Sequence, residues 1–479
     1  MKIKNIVLKT TRVLAISGLL LSGACSSLLD VQPRQSIDSA TALSSPEAVK
    51  SALAACYARL RNTRSYGRDL IAIPEALSDN GFATGKSGRL VSENINTPYT
   101  HFANWQVSYQ SIIQLNLVIE ATEKTVLTAD LKKQVAGEAK FLRALFYFDL
   151  MRAFAYDPNA IVASNNKGGV PLILTGVLDI GQVTSPARAS IDEVYTQIIK
   201  DLTEAIAALP ARANIPHNAT GGGAMALLSR VYLYKGDWAN AAKFATDALA
   251  SRQGTFASNA SYVASWRASV NPESMFEVLF FNVSENIGVN ESLQTTFTTL
   301  TALGNRTTTG GFGDLVPATE LLAALESEPG DLRRNFYELG TAGRGTARIE
   351  CTKFLAKNGT QNLDNIPLIR VSEMYLNRAE ALAMSGNEAG ALTDLNAIRT
   401  RAGLTARTGL TGAALMTEIL KQRRLELAFE GHRWFDLKRR GADVVKAPAT
   451  LAFSDYRVLA NIPVREIQVN PNLVQNVGY

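Results

Sequence analysis

Two segments of the chain share one pattern: a helix-like stretch, a turn that begins with glycine, and a second helix-like stretch. They span residues 224–250 and 371–402. The turns fall at Gly236 and Gly386, and alignment on these glycines places Ala241 opposite Ala391. A glycine at the turn and a small residue where two helices cross are what a packed helical hairpin requires. Because one hairpin cannot bury its apolar face alone, further helices must pack beside it.

Four earlier segments also carry apolar residues at helical spacing. They are residues 46–60, 105–123, 131–154 and 190–209. Ser44 or Ser45 is expected to cap the first of them, with Pro46 in its first turn. The first hairpin also fits the 34-residue tetratricopeptide pattern. We therefore predict a mostly α fold, a scaffold of tetratricopeptide-like helical hairpins, over residues 41–60, 104–252 and 366–440.

Two irregular stretches, residues 61–103 and 253–365, interrupt this scaffold. Both are rich in small and polar residues, and the second holds a strand-like run at residues 276–283. Long loops inside compact domains are uncommon and are often functional. We interpret these stretches as loop and short-strand insertions that form a variable ligand face on the scaffold.

The first residues have the features of a bacterial lipoprotein signal. Residues 1–24 carry four positive charges and no acid, then a short apolar run and small residues. The sequence before Cys25 resembles a lipobox, which implies acylation of Cys25 and a tether over residues 25–40. An ordinary signal peptide with a chance cysteine is the alternative. Since the whole chain carries +6, the mature part is nearly neutral, which argues against nucleic-acid binding.

Patterns for catalysis and cofactors are weak. The segment Gly81–Ser87 is one residue short of a phosphate-binding loop and no buried strand precedes it, so we interpret it as a polar surface loop. The whole chain has three histidines, His101, His217 and His432, and their spacing is not that of a zinc site. We expect no metal, no cofactor and no catalytic residues, although a pair of carboxylates for glycoside hydrolysis could assemble in space.

The densest group of charges lies at residues 422–438. Arg423, Glu426 and Glu430 are spaced to share one side of a helix. A catalytic interpretation would pair Glu430 or Asp436 with His432. We favour a half-buried ion network that clamps the last helices to the repeats, because each charge has an opposite charge nearby in the sequence.

Ten stretches, in order along the chain, resemble the SusD/RagB family of outer-membrane lipoproteins. They are Cys25–Asp30, Glu138–Ala144, Gly169–Leu172, Ser185–Arg188, Glu193–Tyr195 with Asp201-Leu202, Pro367–Arg370, Glu373–Ala381, Asn396–Gly403, Arg424–Lys438, and the chain end from Ile462–Ile467 through Asn470-Pro471 to Gln475–Tyr479. The resemblance covers the mature chain.

The resemblance implies a surface-exposed, lipid-anchored protein that is not an enzyme. Such a protein binds an oligosaccharide, or in some relatives a peptide, and delivers it to a SusC-like TonB-dependent outer-membrane transporter. Two other classes remain open: a surface glycoside hydrolase, and a tetratricopeptide-type protein-interaction scaffold without glycan affinity.

The ligand residues are chosen from loop position and chemistry, because the family stretches are scaffold motifs. A sugar ring needs an exposed aromatic side chain flanked by amide, carboxylate or guanidinium groups. The candidates combine aromatic and histidine side chains with hydrogen-bonding ones: Tyr66, Tyr99, His101, Trp266 and Phe312, with Arg68, Asp79, Asn80 and Arg89.

Overall fold

The computed structural model describes residues 43–125, 127–357 and 359–479. The expected signal peptide, Cys25 and the tether over residues 25–40 lie outside the described residues. Within the described ranges helices predominate and the strands are few and short, so the predicted mostly α fold is confirmed.

The α-helices of these ranges include nine long scaffold helices and seven shorter ones. They are α1 (Pro46–Arg59), α2 (Asp69–Leu77), α3 (Val91–Asn94), α4 (Trp105–Lys124), α5 (Ala129–Phe154), α6 (Ile191–Ala208), α7 (Gly221–Lys235), α8 (Trp238–Ala250), α9 (Tyr262–Ser265), α10 (Leu293–Phe297), α11 (Thr319–Glu326), α12 (Val371–Met384), α13 (Glu388–Arg401), α14 (Gly412–Glu426), α15 (Arg433–Arg439) and α16 (Val464–Val469).

The long helices form a stack in which each helix packs against the next. Its order is α1, α4, α5, α6, α7, α8, α12, α13 and α14. The two predicted hairpins are the pairs α7–α8 and α12–α13, and they meet through α8 and α12. Ala241 and Ala391 are both fully buried, as the repeat pattern predicts.

Local sequence explains where the scaffold helices begin and turn. Ser45 caps α1 and accepts a hydrogen bond from the backbone N–H of Ala48 at 3.2 Å. Ser190 and Glu193 form a capping box at the start of α6. Gly236 ends α7 with φ of +75°, and a side chain there would come within 2.6 Å of the Asn159 side chain. The turn of the first hairpin therefore needs glycine.

Helix α2 lies inside the segment that we expected to be irregular. All nine of its residues are buried, so its sequence has no polar face and no helical period. Glu75 in its last turn accepts hydrogen bonds from the Gly431 N–H at 3.0 Å and from the Asn80 side chain at 2.9 Å. The expectation of irregular structure is wrong for this stretch, because tertiary packing on all sides stabilises the helix.

Six short strands form three antiparallel pairs in the described residues. They are β1 (Gly81–Ala83) with β3 (Leu315–Pro317), β2 (Ser274–Val278) with β6 (Ile366–Arg370), and β4 (Tyr337–Leu339) with β5 (Ile349–Cys351). The strand predicted over residues 276–283 is shorter than expected. Pairing with β6 ends at Val278, and residues 283–285 form a single 3-10 turn.

Arg370, at the end of β6, is the centre of a buried ion network. Its guanidinium lies 3.0 Å from Glu273, 3.0 Å from Glu426 and 2.6 Å from Glu430. Arg401 reaches Glu273 and Glu426, each at 2.6 Å. All five side chains are buried. Because a buried charge is tolerated only when it is paired, these contacts lock the strand, α13 and α14 into one arrangement.

The network corrects one detail of the sequence analysis. Helix α14 ends at Glu426, and the chain then turns through Phe429 and Gly431, both with positive φ. Glu426 and Glu430 therefore do not share a helix side. Their partners come from distant segments, because the turn directs both carboxylates towards β6.

The catalytic alternative for this block does not fit the burial. Glu430, His432 and Asp436 are each only 6% exposed. Asp436 is held by Arg423 at 2.8 Å and by Arg439 at 2.9 Å, and these charges keep its pKa well below the ordinary value although burial opposes them. The structural interpretation of the block is the one that the geometry supports.

We predict that Glu430→Ala destabilises the protein by about 3–5 kcal/mol, since it leaves the buried Lys353 without a carboxylate partner and removes one of the three carboxylates that pair with Arg370. Urea unfolding measures the change. The matched control is Glu326→Ala, which removes an exposed ion pair with Arg334 and is expected to cost less than about 1 kcal/mol. Equal effects of the two variants would contradict the role of the network.

A second prediction concerns Glu373, which accepts two hydrogen bonds of 2.6 Å from Arg230 in the core. Burial alone would raise the pKa of Glu373, but the charge and hydrogen bonds of Arg230 hold it at about 2, against an ordinary value of 4.5. As the pH falls, the Glu373 carboxylate of the unfolded chain binds a proton at a higher pH than that of the folded chain does. The stability that the pair contributes is therefore complete above about pH 4.5 and is lost as the pH falls towards 2.

The melting temperatures of wild type and Glu373→Gln test this dependence. We expect wild type to be more stable than Glu373→Gln by about 3 kcal/mol at neutral pH. The gap between their melting temperatures is expected to narrow as the pH is lowered from 5 to 2. Glu326→Gln, at an exposed position, is the control. A gap that stays constant over this range would refute the coupling.

Candidate functional site

Three loop segments that are far apart in the sequence meet on the surface. They are residues 81–101, 281–314 and 339–350, and we call them the loop face. The pairing of β1 with β3 joins the first two, reinforced by a 2.8 Å hydrogen bond from the Thr84 hydroxyl to the Gly313 carbonyl. An ion pair of 3.4 Å between Lys86 and Glu350 joins the third. The two predicted insertions therefore meet in one surface.

The loop face contains a cavity of about 290 Å³. Three of the predicted ligand residues line it, namely Arg68, Arg89 and His101. Asp69 at the start of α2 and Asp314 before β3 lie beside them. The cavity is thus built where both insertions contact the buried helix α2.

Ion pairs fix the arginines of the cavity. Arg68 Nε lies 2.8 Å from Asp69, and its other end contacts Glu291. Arg89 Nε lies 3.1 Å from Asp314 and also donates to the Asn290 carbonyl. These contacts hold both guanidinium groups in place from two different loops, so their remaining N–H groups have defined directions.

Two titratable groups of the cavity are altered by burial. Burial, and then the charge of Asp69, raise the pKa of Glu93 above its ordinary value despite Arg68 nearby. Burial lowers the pKa of His101 to about 3. The imidazole also lies edge-on to Trp434, with ring centres 5.5 Å apart. His101 is therefore a neutral group at physiological pH.

Phe312, another predicted ligand residue, does not line the cavity but contacts Arg89, which does. The guanidinium of Arg89 lies 4.4 Å from the centre of its ring, and that of Arg344 lies 4.1 Å away. Cation–π contacts of this kind occupy ring surface. Phe312 therefore orients Arg89 rather than offering a free ring.

The loop that borders the cavity has an unusual backbone. Leu90, Asn96 and Tyr99 all have positive φ, of 61°, 53° and 66°. Such conformations cost about 1–3 kcal/mol each outside glycine and tend to be concentrated at functional sites. One consequence is the position of Tyr99, which is 60% exposed and lies edge-on to Tyr479 at 5.2 Å.

Sequence reasoning missed two exposed aromatic residues of the loop face. Phe82 in β1 is 42% exposed and Phe281 is 74% exposed. Phe82 was not considered as a ligand residue, because it lies in the segment that we interpreted as an incomplete phosphate-binding loop. The preceding residue, Phe280, is buried. Because neighbouring residues of a strand point to opposite faces, the pair Phe280-Phe281 was the signal that one of the two rings would be exposed.

Asp79 and Asn80 lie away from the cavity and connect α2 to the last helices. Asp79 accepts from Arg433 at 2.6 and 2.8 Å, and Asn80 accepts from Arg424 at 2.8 Å. Burial would raise the pKa of Asp79, but Arg433 and Arg424 hold it below its ordinary value. In this structure both residues serve the scaffold.

Tyr66 and Trp266 are each only 1% exposed. The Tyr66 hydroxyl donates to Asp149 at 2.6 Å, and Trp266 packs edge-on against Phe336 and Phe354. The expectation that these two rings are exposed is wrong. Both belong to loops that fold back over the core, which buries large aromatic rings because of their apolar area.

Several charged side chains of the loop face are engaged with one another. Lys86 and Ser87 of the incomplete phosphate loop are engaged with Glu350 at 3.4 Å and Asp314 at 2.5 Å. Among the described residues, no group of three histidine, cysteine or acidic side chains is placed to hold a metal ion. What remains is a set of oriented arginine and carboxylate groups, with exposed aromatic rings in the same loops.

Two family models and several curated proteins match this chain. The family model described as "Starch-binding associating with outer membrane" matches residues 27–233, and the model described as "SusD family" matches residues 343–455. SusD-like protein P38 of Formosa agariphila is 26% identical over the full length of both chains. The starch-binding protein SusD of Bacteroides thetaiotaomicron is 32% identical, over 24% of this chain and 22% of its own.

Solved structures agree over nearly the whole chain. A putative sugar-binding protein of Bacteroides vulgatus superposes with a TM-score of 0.80 at 28% identity, covering 92% of this chain and 100% of its own. A SusD superfamily protein of Bacteroides thetaiotaomicron gives a TM-score of 0.79 at 24% identity, covering 90% and 99%. Matches in two parts of the sequence and a common fold show that this chain is a SusD-like protein.

Proposed function

We propose that the chain is a surface-exposed outer-membrane lipoprotein that binds an oligosaccharide on the loop face and delivers it to a SusC-like TonB-dependent transporter. Carbohydrate binding in association with the outer membrane is the property by which the matching family is described. In this proposal the protein binds its ligand without changing it chemically.

The observation that carries the proposal is the cavity lined by Arg68, Arg89 and His101, with Tyr99 exposed two residues before His101. Sugar rings have apolar C–H faces and hydroxyl groups around their edges. An exposed tyrosine ring can stack on the apolar C–H face, and guanidinium groups held by ion pairs can form hydrogen bonds with the hydroxyl groups. Since the carboxylates of Asp69 and Asp314 balance the arginines, a neutral glycan suits the cavity.

The anchor and the transporter belong to the same proposal. The lipobox-like sequence before Cys25 supports a lipid anchor, since multiple acyl chains hold a protein stably at a membrane. No helix of the described residues is long and apolar enough to span a bilayer. Delivery to a transporter rests on family membership, and co-purification of the chain with an outer-membrane barrel tests it.

We predict that Tyr99→Ala weakens oligosaccharide binding about tenfold, since a lost stacking ring corresponds to roughly 1–2 kcal/mol. Phe281→Ala is expected to act in the same direction. Calorimetry against a glycan panel that includes maltohexaose measures the affinity. The control is Ile180→Ala, an exposed residue outside the loop face, with unchanged affinity expected. No affinity of the wild-type chain for any glycan would overturn the proposal.

The other two functional classes give different results in the same samples. A glycoside hydrolase would release shorter products, which chromatography of the glycan after incubation detects. A protein-interaction scaffold would co-purify with partners and show no glycan affinity. We expect intact glycan and measurable binding.

A separate prediction concerns Cys25. Wild-type protein expressed in a bacterial host with lipoprotein processing is expected to enter the detergent phase in phase separation, and Cys25→Ala is expected to remain in the aqueous phase. The other native cysteines, Cys56 and Cys351, are buried, so Cys56→Ala is the control. Equal partitioning of wild type and Cys25→Ala would exclude the anchor.

A further inference from the structure

A second, larger cleft lies away from the loop-face cavity. Its volume is about 600 Å³, within the usual range for small-molecule sites. It is formed by α1, α5, β2 and the loop at residues 217–218, and it shares no lining residue with the loop-face cavity. Nothing in the proposed function uses it.

One wall of the cleft is apolar and aromatic. Leu53 and Tyr57 of α1 face it, together with Val135 of α5 and Phe276 of β2. The rings of Tyr57 and Phe276 lie 6.4 Å apart. Phe276 is fully buried and Tyr57 is half-buried, so the Tyr57 ring, backed by Phe276, is the surface that this wall offers to the apolar face of a ring-shaped ligand.

The polar groups of the cleft are held in fixed directions. Glu138 accepts hydrogen bonds from the Tyr57 hydroxyl at 2.6 Å, from Gln134 at 2.9 Å and from Asn218 at 3.0 Å. The loop that carries His217 is tied to β2, because the Glu277 N–H donates to the Pro216 carbonyl at 2.8 Å. A site of this kind needs little reorganisation before it binds.

Two polar atoms of lining residues lack partners. His217 Nε2 lies 3.8 Å from Glu277 Oε1, beyond hydrogen-bond distance, and neither atom has a hydrogen-bond partner among the described residues. Glu277 is fully buried. A buried carboxylate oxygen without a partner is costly. A hydroxyl group can donate to the carboxylate and accept from the imidazole at the same time.

We propose that this cleft is a second binding site, for a single neutral sugar ring, either a monosaccharide or the terminal ring of a longer glycan. The half-buried Tyr57 ring accepts the C–H face, and Glu138, Asn218 and Gln134 accept or donate at the ring edge. His217 and Glu277 share one ring hydroxyl after a small movement of the imidazole, which is partly exposed.

The test uses the full chain and four probes, namely D-glucose, D-galactose, D-xylose and N-acetyl-D-glucosamine, in saturation-transfer NMR and calorimetry. Ala54 lines the cleft and is exposed on α1, so Ala54→Trp fills the cleft without disturbing the core. Ser51 is exposed on the same helix and does not line the cleft, so Ser51→Trp is the matched control.

We expect at least one probe to bind, Ala54→Trp to weaken it about tenfold or more, and Ser51→Trp to change it less than about twofold. His217→Ala, which removes one of the two unpartnered groups, is expected to weaken it about three- to tenfold. Tyr99→Ala is expected to leave this binding unchanged.

Other outcomes separate this inference from the proposed function. Binding that Tyr99→Ala abolishes and Ala54→Trp leaves intact would overturn the second site and support the loop face alone. No binding of any probe to the wild-type chain would overturn the second site, whether or not longer glycans bind at the loop face.

Discussion

Pairing of buried arginines with carboxylates is the constraint on which the structure depends. Arg370 joins β6 to Glu426 at the end of α14 and to Glu430 after it, and Arg401 joins Glu426 to α13. An unpaired charge in this interior would be strongly destabilising, so the segments can pack only in the arrangement that satisfies every partner. Stacked helices alone could slide along their apolar faces. The charges define one register.

Ion pairs between distant segments also connect α2 to the last helices and the two insertions of the loop face to each other. Asp79 connects the end of α2 to Arg433, and Arg89 connects the first insertion to Asp314 of the second. A binding surface made of irregular loops needs such connections, because loops have few backbone hydrogen bonds of their own. The helical stack and the loop face are therefore linked through ion pairs.

The sequence predicted the scaffold well, whereas the ligand role of the candidate residues stays a prediction. The hairpin glycines, the capping serines and the apolar spacing of α6 are local signals, so they can be seen without a structure. Helix α2 could not be recognised, because a helix buried on every side has no period. Tyr66 and Trp266 could not be told from exposed rings, because whether a loop folds over the core depends on segments far away in the sequence.

The linear order of residues determined the helical class, the turns of the repeats and the resemblance to SusD-like proteins, since each depends on spacing over short distances. Only the tertiary structure decided which polar residues meet. Asp314 meets Arg68, Arg89 and His101 at one cavity because β1 pairs with β3 across more than 200 residues, and His217 faces Glu277 because a loop is tied to β2. Contacts between distant segments arise from packing geometry, which no local pattern encodes.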